Sequence, residues 1–229
     1  DMKEHTKNLT VEDILVRSSN VGSVILAKKI GAQKFKEFIE NTKLLKSPEL
    51  EIEEVGVPHD IKWNKCKLET VSFGHGITTT PIQAASAYSA LVNGGNLIKP
   101  SLVIDRERLE EKKIISKETS KTINDILRKV VSSKNGTAYF ADKNGYYVGG
   151  KTGTAEGYGY KKNRVNTFIS VFPTNKPKYT LLVMLENPQI NKDLIYDYRG
   201  VMTKAPYNTS GWNSVYVTGK IIEKIGPIL

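Results

Sequence analysis

The chain has 229 residues, of which 39% are hydrophobic and 25% are charged, as in an ordinary globular domain. Its longest apolar run, residues 181–185, is far too short for a transmembrane helix and is typical of a buried strand. The net charge is +10, but lysines are spread along the chain and arginines are few, which favours a solvated basic surface over a nucleic-acid site. Because Cys66 is the single cysteine, an internal disulfide is excluded.

The first part of the chain has the pattern of short helices. Thr10 and Asp13 form a capping pair ahead of the first helix, and a second apolar segment, Val21 to Ile30, is closed by Gly31. A third short amphipathic helix follows. Residues 43–70 lack periodicity and contain two prolines, which predicts a long irregular connection.

Two longer helices come next. Thr80 can cap a helix in which Pro81 takes the first position, and Gly94-Gly95 can terminate it. Ser116 opens another helix, which has apolar side chains along one face.

After residue 145 the pattern changes to strands. Alternating and apolar segments predict three strands at about 146–155, 165–172 and 178–186, and the last two resemble an antiparallel meander. A final helix is predicted from about Trp212 to Ile225. Without repeats or a low-complexity linker, the chain is expected to form one domain over residues 1–229.

The sequence GYYVGGKTGTAEG at residues 145–157 fits two different sites. Residues 145–152 match the phosphate-binding pattern G-x-x-x-x-G-K-[ST], which needs a strand before it and a helix after it. Here Tyr146 to Val148 have the pattern of the strand itself, and Gly153 would destabilise the first turn of a helix. The sequence therefore argues against an NTPase.

The alternative is the K-T-G element of penicillin-recognising serine acyltransferases, at Lys151-Thr152-Gly153. A tripeptide is weak evidence by itself. Ser18-Ser19-Asn20, however, lies between two predicted helices and fits the accompanying S-x-N element. The two elements occur in the family's order and lie more than a hundred residues apart, which makes the pair far more specific than either element alone.

Longer segments carry a resemblance over the whole chain. They are LTVEDILVRSSNVG, VSFGHGITTTPIQAASAYSALVNGGNLIKPSLV, GGKTGTAEG and APYNTSGWNSVYVTGKIIEKIGPIL. Together they resemble the C-terminal portion of the transpeptidase domain of a class B penicillin-binding protein, of the cell-division (penicillin-binding protein 3) type found in alphaproteobacteria. The resemblance implies an α/β (mixed α+β) fold like that of penicillin-binding proteins and serine β-lactamases. Helices should flank an antiparallel sheet, and the N-terminal part of the fold should be missing.

The function implied by this resemblance is septal cross-linking of peptidoglycan through a serine acyl-enzyme. The family's nucleophile is the serine of an S-x-x-K element, but none of the 15 serines in this sequence is followed by lysine at that offset. The nucleophile is therefore expected upstream of Asp1, and the chain alone is expected to be an inactive fragment.

The resemblance assigns the remaining site residues. Ser18 would relay a proton, Asn20 would hold the substrate's peptide group, and Lys151 would supply positive charge near the substrate's terminal carboxylate. Thr152 and Thr154 would bind that carboxylate, and the Thr154 N–H would form half of the oxyanion hole. Gly153 lets the substrate backbone lie close to the strand edge.

Further residues and partners follow from the same resemblance. Ser19 and His75 are predicted to line the substrate cleft, although His75 fits a partly exposed loop histidine equally well. No metal and no cofactor are expected, because the three histidines lack the spacing of metal ligands. The expected partners are D-Ala-D-Ala stem peptides, β-lactams and, for the full-length protein, divisome membrane proteins. The location would be the periplasmic face of the inner membrane, with the anchor outside this chain and no role for nucleic acid.

Other functions stay open at this point. The same fold could belong to an elongation-type class B penicillin-binding protein, a β-lactam sensor or a serine β-lactamase. A different class, a basic RNA- or phosphate-binding module, rests on the interleaved aromatic and basic residues at 158–164, YGYKKNR.

Overall fold

The computed structural model describes residues 8–64, 66–104, 110–156 and 163–229, without the side chains of residues 110 and 111. The chain divides into two compact units, Asp1–Ile123 and Asn124–Leu229. Each unit is described by itself below, and one domain over residues 1–229 stays a prediction.

The first unit is mainly helical. Its elements are α1 (Val11–Arg17), α2 (Asn20–Ile30), α3 (Ala32–Asn41), α4 (Lys67–Val71), α5 (Pro81–Val92), β1 (Asn96–Ile98), β2 (Glu110–Lys113) and the first turns of α6 (Lys117–Ser132). Helix α2 packs against α1, α3 and α4, whereas α5 packs on β1, which pairs antiparallel with β2. The buried apolar side chains of this unit are Ile14, Val16, Ala27, Val71, Ala87, Ala90, Val92 and Leu97.

Local sequence signals begin these helices as predicted. Thr10 and Asp13 form a reciprocal capping box at α1. The Thr80 hydroxyl accepts a hydrogen bond from the backbone N–H of Gln83 at 3.2 Å, with Pro81 in the first turn of α5. Ser116 likewise accepts the backbone N–H of Thr119 at 3.1 Å ahead of α6. These three helix starts are confirmed.

The second unit is an antiparallel sheet with helical cover. After the end of α6 it contains β3 (Gly149–Glu156), β4 (Arg164–Phe172), β5 (Tyr179–Glu186), the hairpin β6 (Tyr196–Tyr198) and β7 (Val201–Thr203), and α7 (Ser214–Ile225), with short 3₁₀ turns at Tyr139–Ala141, Ser210–Trp212 and Gly226–Ile228. The sheet order is β3-β4-β5, and both pairings are antiparallel. The predicted sheet of three strands is confirmed, and each strand bound lies within three residues of its predicted position.

Two helices, α6 and α7, lie against strands of this sheet. Helix α7 packs on β4 and β5. On the strand that leads into the K-T-G element, Gly149 lies against the backbone of α6: a Cβ there would stand 3.0 Å from the Arg128 nitrogen and 2.5 Å from the Thr174 methyl group. Real Cβ atoms almost never make such contacts, so the close approach of α6 depends on this glycine.

An aromatic cluster joins the 3₁₀ turns, the β6–β7 hairpin and α7 within the second unit. Neighbouring ring centroids lie 5.0 to 5.7 Å apart, mostly edge to face, which is the favourable arrangement for aromatic rings. Its members are Tyr139, Phe140, Tyr196, Tyr198, Trp212 and Tyr216. The cluster fixes the turn at Ser210–Trp212, which borders the candidate site.

Two local predictions are wrong, and four short strands were missed. Tyr146 to Val148 do not belong to a strand: Tyr146 lies in a turn with Gly145, which has φ 86°, Tyr147 has φ 47°, and β3 begins only at Gly149. Residues 43–70, predicted to be irregular, include most of the short helix α4. The strands β1, β2, β6 and β7 were not predicted, because each has only three or four residues and little periodicity.

The structure excludes a P-loop because β3 begins at Gly149 and contains the lysine and threonine of the motif. A P-loop lysine and threonine begin a helix, whose N-terminal N–H groups point at the phosphates. Lys151 and Thr152 instead lie within β3, which continues as a strand to Glu156. The backbone of this element cannot form the phosphate cradle.

Candidate active site

The S-x-N element forms the turn between α1 and α2 in the first unit. Ser18 ends α1 in the left-handed conformation, with φ 59° and ψ 49°, which is uncommon for a residue other than glycine. Ser19 caps α2: its hydroxyl accepts the backbone N–H of Gly22 at 3.1 Å. Asn20 is the first residue of α2 and is exposed. The first and third residues of the element are thus held on either side of a helix cap.

Ser19 stabilises the turn between α1 and α2. Its side chain is 2% exposed, and its backbone N–H donates to the carbonyl of Ile14 at 2.9 Å. A substrate contact for Ser19 stays a prediction, whereas its contribution to the turn follows from these bonds.

His75 lies in a glycine-rich loop of the first unit. Both neighbours, Gly74 and Gly76, have positive φ, and the His75 N–H donates to the Thr70 carbonyl at 2.9 Å. The half-buried imidazole stacks beside the Phe73 ring at a centroid distance of 6.2 Å. The two glycines therefore present this side chain from a tight turn, and its place in a substrate cleft stays a prediction.

The K-T-G element lies on β3 in the second unit. Within the described residues β3 pairs with β4 alone, so it is the edge strand of this sheet. Lys151 is half-buried, and its ammonium donates to the carbonyl of Thr152 at 3.0 Å. Burial lowers the pKa of Lys151 to about 8 from its ordinary value of 10.5. A lysine with such a pKa can change protonation state near neutral pH.

Two hydroxyl groups lie next to the threonines of this strand. The Thr152 hydroxyl is 3.0 Å from the Thr137 hydroxyl, and the Thr154 hydroxyl is 2.9 Å from the Ser210 hydroxyl. Register places Thr152 and Thr154 on the same face of β3 because they are two residues apart. Lys151 lies on the opposite face.

Sequence reasoning missed Thr137 and Ser210. Each lies beside a glycine, in NGTA and TSGW, and a Cβ on Gly211 would stand 2.8 Å from the Thr137 carbonyl oxygen. A hydroxyl residue next to a glycine that allows close backbone approach is the one signal in the sequence that could have drawn attention to them.

Gly153 has open space on its side-chain face. A Cβ built there meets nothing closer than the Thr167 Cβ and carbonyl oxygen, both at 3.9 Å. The protein's own packing therefore does not require glycine at this position, in contrast to Gly149.

The predicted site residues are divided between the two units. Ser18, Ser19, Asn20 and His75 belong to the first, and Lys151 to Thr154 belong to the second. The basic and aromatic segment at 158–164 lies outside the described residues except for its last two positions. Across the described ranges, no group of three or more His, Cys, Asp or Glu side chains is placed to hold a metal ion, and no helix is long and apolar enough to cross a bilayer.

Comparison with known proteins defines the class. Residues 1–205 match the model of the penicillin binding protein transpeptidase domain. The chain belongs to this family, and its fold is the mixed α/β fold of these transpeptidase domains. Among solved structures, it is similar to the apo transpeptidase domain of penicillin-binding protein 3 from Burkholderia pseudomallei, with a TM-score of 0.79 and 23% identity over 96% of this chain and 65% of that one. Penicillin-binding protein 3 from Mycobacterium tuberculosis, complexed with aztreonam, has a TM-score of 0.74 and 22% identity over 95% of this chain and 52% of that one.

Two curated relatives are similar to most of this chain. The probable peptidoglycan D,D-transpeptidase FtsI of Caulobacter vibrioides is 32% identical over 96% of this chain and 38% of its own length. Stage V sporulation protein D of Bacillus subtilis is 31% identical over 79% of this chain and 30% of its own length. The chain thus spans a little over a third, or less, of these two relatives.

Proposed function

We propose that this chain is part of a septal peptidoglycan D,D-transpeptidase, which cross-links stem peptides ending in D-Ala-D-Ala and is acylated by β-lactams. The observation that carries the proposal is β3, the edge strand of its sheet among the described residues, which carries Lys151, Thr152, Gly153 and Thr154 in a chain of the transpeptidase family. An extended peptide can add to such an edge as a further strand, and the open space at Gly153 leaves room for its backbone. The likeness to FtsI of Caulobacter vibrioides supports the division role.

The reaction is acyl transfer through a serine ester. A serine hydroxyl from an S-x-x-K element outside these 229 residues attacks the carbonyl between the two D-alanines, and the terminal D-alanine leaves as the amine. The Thr154 N–H stabilises the oxyanion, and the Ser18 hydroxyl passes the proton towards the leaving amine. Asn20 holds the substrate's amide. An acceptor amine from a second stem peptide then takes the acyl group.

In this proposal, residues of β3 in the second unit bind the terminal carboxylate of the substrate. Thr152 and Thr154 present two hydroxyl groups on one face of β3. Lys151 is half-buried, and a cation whose charge is poorly solvated interacts more strongly with an incoming carboxylate than one in open water. We infer the same binding mode for the carboxylate of a β-lactam.

The cellular setting follows from the same proposal. The full-length protein would be anchored in the inner membrane with its catalytic part in the periplasm, and it would act with other membrane proteins of the divisome. Its functional partners would be stem peptides and β-lactams and not nucleic acid.

Fluorescent penicillin tests the proposal on the natural full-length protein. We expect one covalent label per molecule, lost when the serine of its S-x-x-K element is replaced by alanine. Lys151→Met should slow labelling by about 100-fold, as removal of a charge-stabilising group does in other acyl transfers. Lys176→Met is the matched control, because it removes one positive charge from an exposed residue.

The same assay separates the alternatives. Absence of labelling, together with tight and salt-sensitive RNA binding, would favour the nucleic-acid module. Rapid release of hydrolysed penicillin would indicate a β-lactamase, and a fluorescent fusion along the side wall in place of the septum would indicate the elongation type.

A further inference from the structure

Ser210 contacts the K-T-G-T strand through three hydrogen bonds. It is 1% exposed and begins the 3₁₀ turn ahead of α7. Its backbone N–H donates to the Thr154 hydroxyl oxygen at 3.2 Å, and its own hydroxyl lies 2.9 Å from the same oxygen. The Ser210 hydroxyl also donates to the carbonyl oxygen of Gly153. Two consecutive residues of β3 are thus bonded to one side chain.

The number of protons fixes how these bonds are shared. A serine hydroxyl has one proton, and a carbonyl oxygen can only accept. When the Ser210 hydroxyl donates to Gly153, the hydroxyl bond to Thr154 must be donated by Thr154. The Thr154 proton then points at Ser210 and is not available to a ligand.

A second arrangement of the same atoms frees that proton. If the Ser210 hydroxyl turns from Gly153 to Thr154, the Thr154 oxygen accepts from both the N–H and the hydroxyl of Ser210. Its own proton can then donate to a carboxylate. A hydroxyl that accepts two hydrogen bonds is polarised and donates more strongly, which favours a charged acceptor over a neutral one.

We propose that Ser210 is a positioning residue that sets the direction of the Thr154 hydroxyl proton, and with it the preference of the site for a ligand carboxylate. The inference rests on the proposed function in one respect, namely that Thr154 binds the carboxylate. Ser210 does not touch the ligand; it acts through Thr154.

The surroundings of Ser210 hold it in place for this role. The Ser214 hydroxyl donates to the Ser210 carbonyl at 3.3 Å from the first turn of α7, and Trp212 belongs to the aromatic cluster. Asn166, opposite Thr154 in the register of β4, is fully buried and donates to the side-chain oxygen of Asn208 at 3.2 Å. The backbone of the turn is therefore fixed, and the hydroxyl protons are the parts that can reorient.

Two peptides that differ only at the C-terminus measure the contribution of the ligand carboxylate to binding. We would measure binding of an N-acetylated peptide ending in D-Ala-D-Ala, and of the same peptide as its C-terminal amide, to the natural full-length protein. Wild type should prefer the acid. Ser210→Ala should reduce the acid-to-amide ratio of affinities by about threefold, because the Thr154 hydroxyl keeps its proton but loses the polarising hydrogen bond from Ser210. Thr154→Ala should reduce it at least as much, and Ser210→Ala should add nothing in the Thr154→Ala background.

Two more variants keep the test decisive. Ser170→Ala removes another fully buried hydroxyl of the second unit, one that donates to the Leu181 carbonyl within the sheet and has no part in the Ser210 turn, so it should keep the full acid preference. If Ser210→Ala fails to fold by circular dichroism, Ser210→Cys places a thiol, a much weaker donor, on the same Cβ and should show the same loss.

Failure of the Ser210 inference and failure of the proposed transpeptidase function give different results in these experiments. A protein that is labelled by penicillin, but in which Ser210→Ala weakens acid and amide equally or leaves both unchanged, overturns this inference alone. Additive losses in the double variant overturn it as well. A wild type that is not labelled and shows no preference for the acid overturns both.

Discussion

Lys151 gives the site a pH dependence that can be worked out in advance. With a pKa of about 8, the side chain is about 90% protonated at pH 7 and about 10% protonated at pH 9. If the ammonium attracts the ligand carboxylate, affinity for the D-Ala-D-Ala acid should be nearly constant below pH 7 and fall roughly tenfold per pH unit well above pH 8. The amide-terminated peptide should show a much smaller change.

The same pKa affects stability with the opposite sign. Burial disfavours the charged lysine, so the folded state is destabilised while both states are protonated, below about pH 8. As the pH rises from 8 towards 10.5, the folded state loses this proton first and the free energy of unfolding increases. At 1.36 kcal/mol per pH unit the limit is about 3 kcal/mol, and the half-buried position of Lys151 reduces the expected gain to about 1–2 kcal/mol.

Trace acetylation of lysines at a series of pH values, followed by peptide mass spectrometry, measures the midpoint for Lys151 directly. Lys151→Arg is the matched control for binding, since arginine keeps its charge throughout this range and should abolish the decline between pH 7 and pH 9. A reactivity midpoint near 10.5, or a decline in acid affinity that persists in Lys151→Arg, would refute the reasoning.

Three further predictions concern stability and association. Ser19→Ala should lower the free energy of unfolding by about 1 kcal/mol, because the cap on the Gly22 N–H is lost, whereas Ser23→Ala removes a nearby hydroxyl outside the cap and should cost much less; urea unfolding checks both. Gly149→Ala should cost about 2 kcal/mol because the new Cβ meets α6, while Gly153→Ala should change stability by less than about 0.5 kcal/mol and yet weaken peptide binding. The isolated 229-residue chain should associate through the edge of β5, and Met184→Lys, at a position 50% exposed, should reduce that association in sedimentation experiments.

Each of these has a contradicting result. Equal costs for Ser19→Ala and Ser23→Ala would show that the Ser19 hydroxyl does not act as a cap. A Gly153→Ala variant as unstable as Gly149→Ala would mean that the space at Gly153 is filled. A monodisperse isolated chain that melts cooperatively as a monomer would contradict the role given to the β5 edge.

The sequence was sufficient to predict those features in which a residue contacts its near neighbours along the chain. Thr10, Thr80 and Ser116 each cap a helix through contacts three residues along the chain, and all three helix starts were predictable. The strands β4 and β5 were equally clear, because their apolar runs are long enough to show a pattern.

Sequence was insufficient where a contact joins distant segments. Thr154 and Ser210 are 56 residues apart, and Thr137 and Thr152 are 15 apart, so nothing local marks them as neighbours. The turn at Tyr147 was missed for another reason: aromatic and β-branched residues favour strands, but Gly145 and tertiary contacts place this segment before the strand. The K-T-G strand could be found from sequence, whereas the hydroxyl groups beside it could not.

The turn at Ser18 and Ser19 also determines how Asn20 is oriented about its helix. Since Ser19 is the cap, Asn20 occupies the first helical position, and each residue of an α-helix advances about 100° around the axis. One residue inserted after Ser19 would move the asparagine around the helix by that angle, and one residue removed would make it the cap. The one-residue spacing of S-x-N therefore determines the direction in which Asn20 projects from the helix axis, because the middle residue, Ser19, sets where the helix begins.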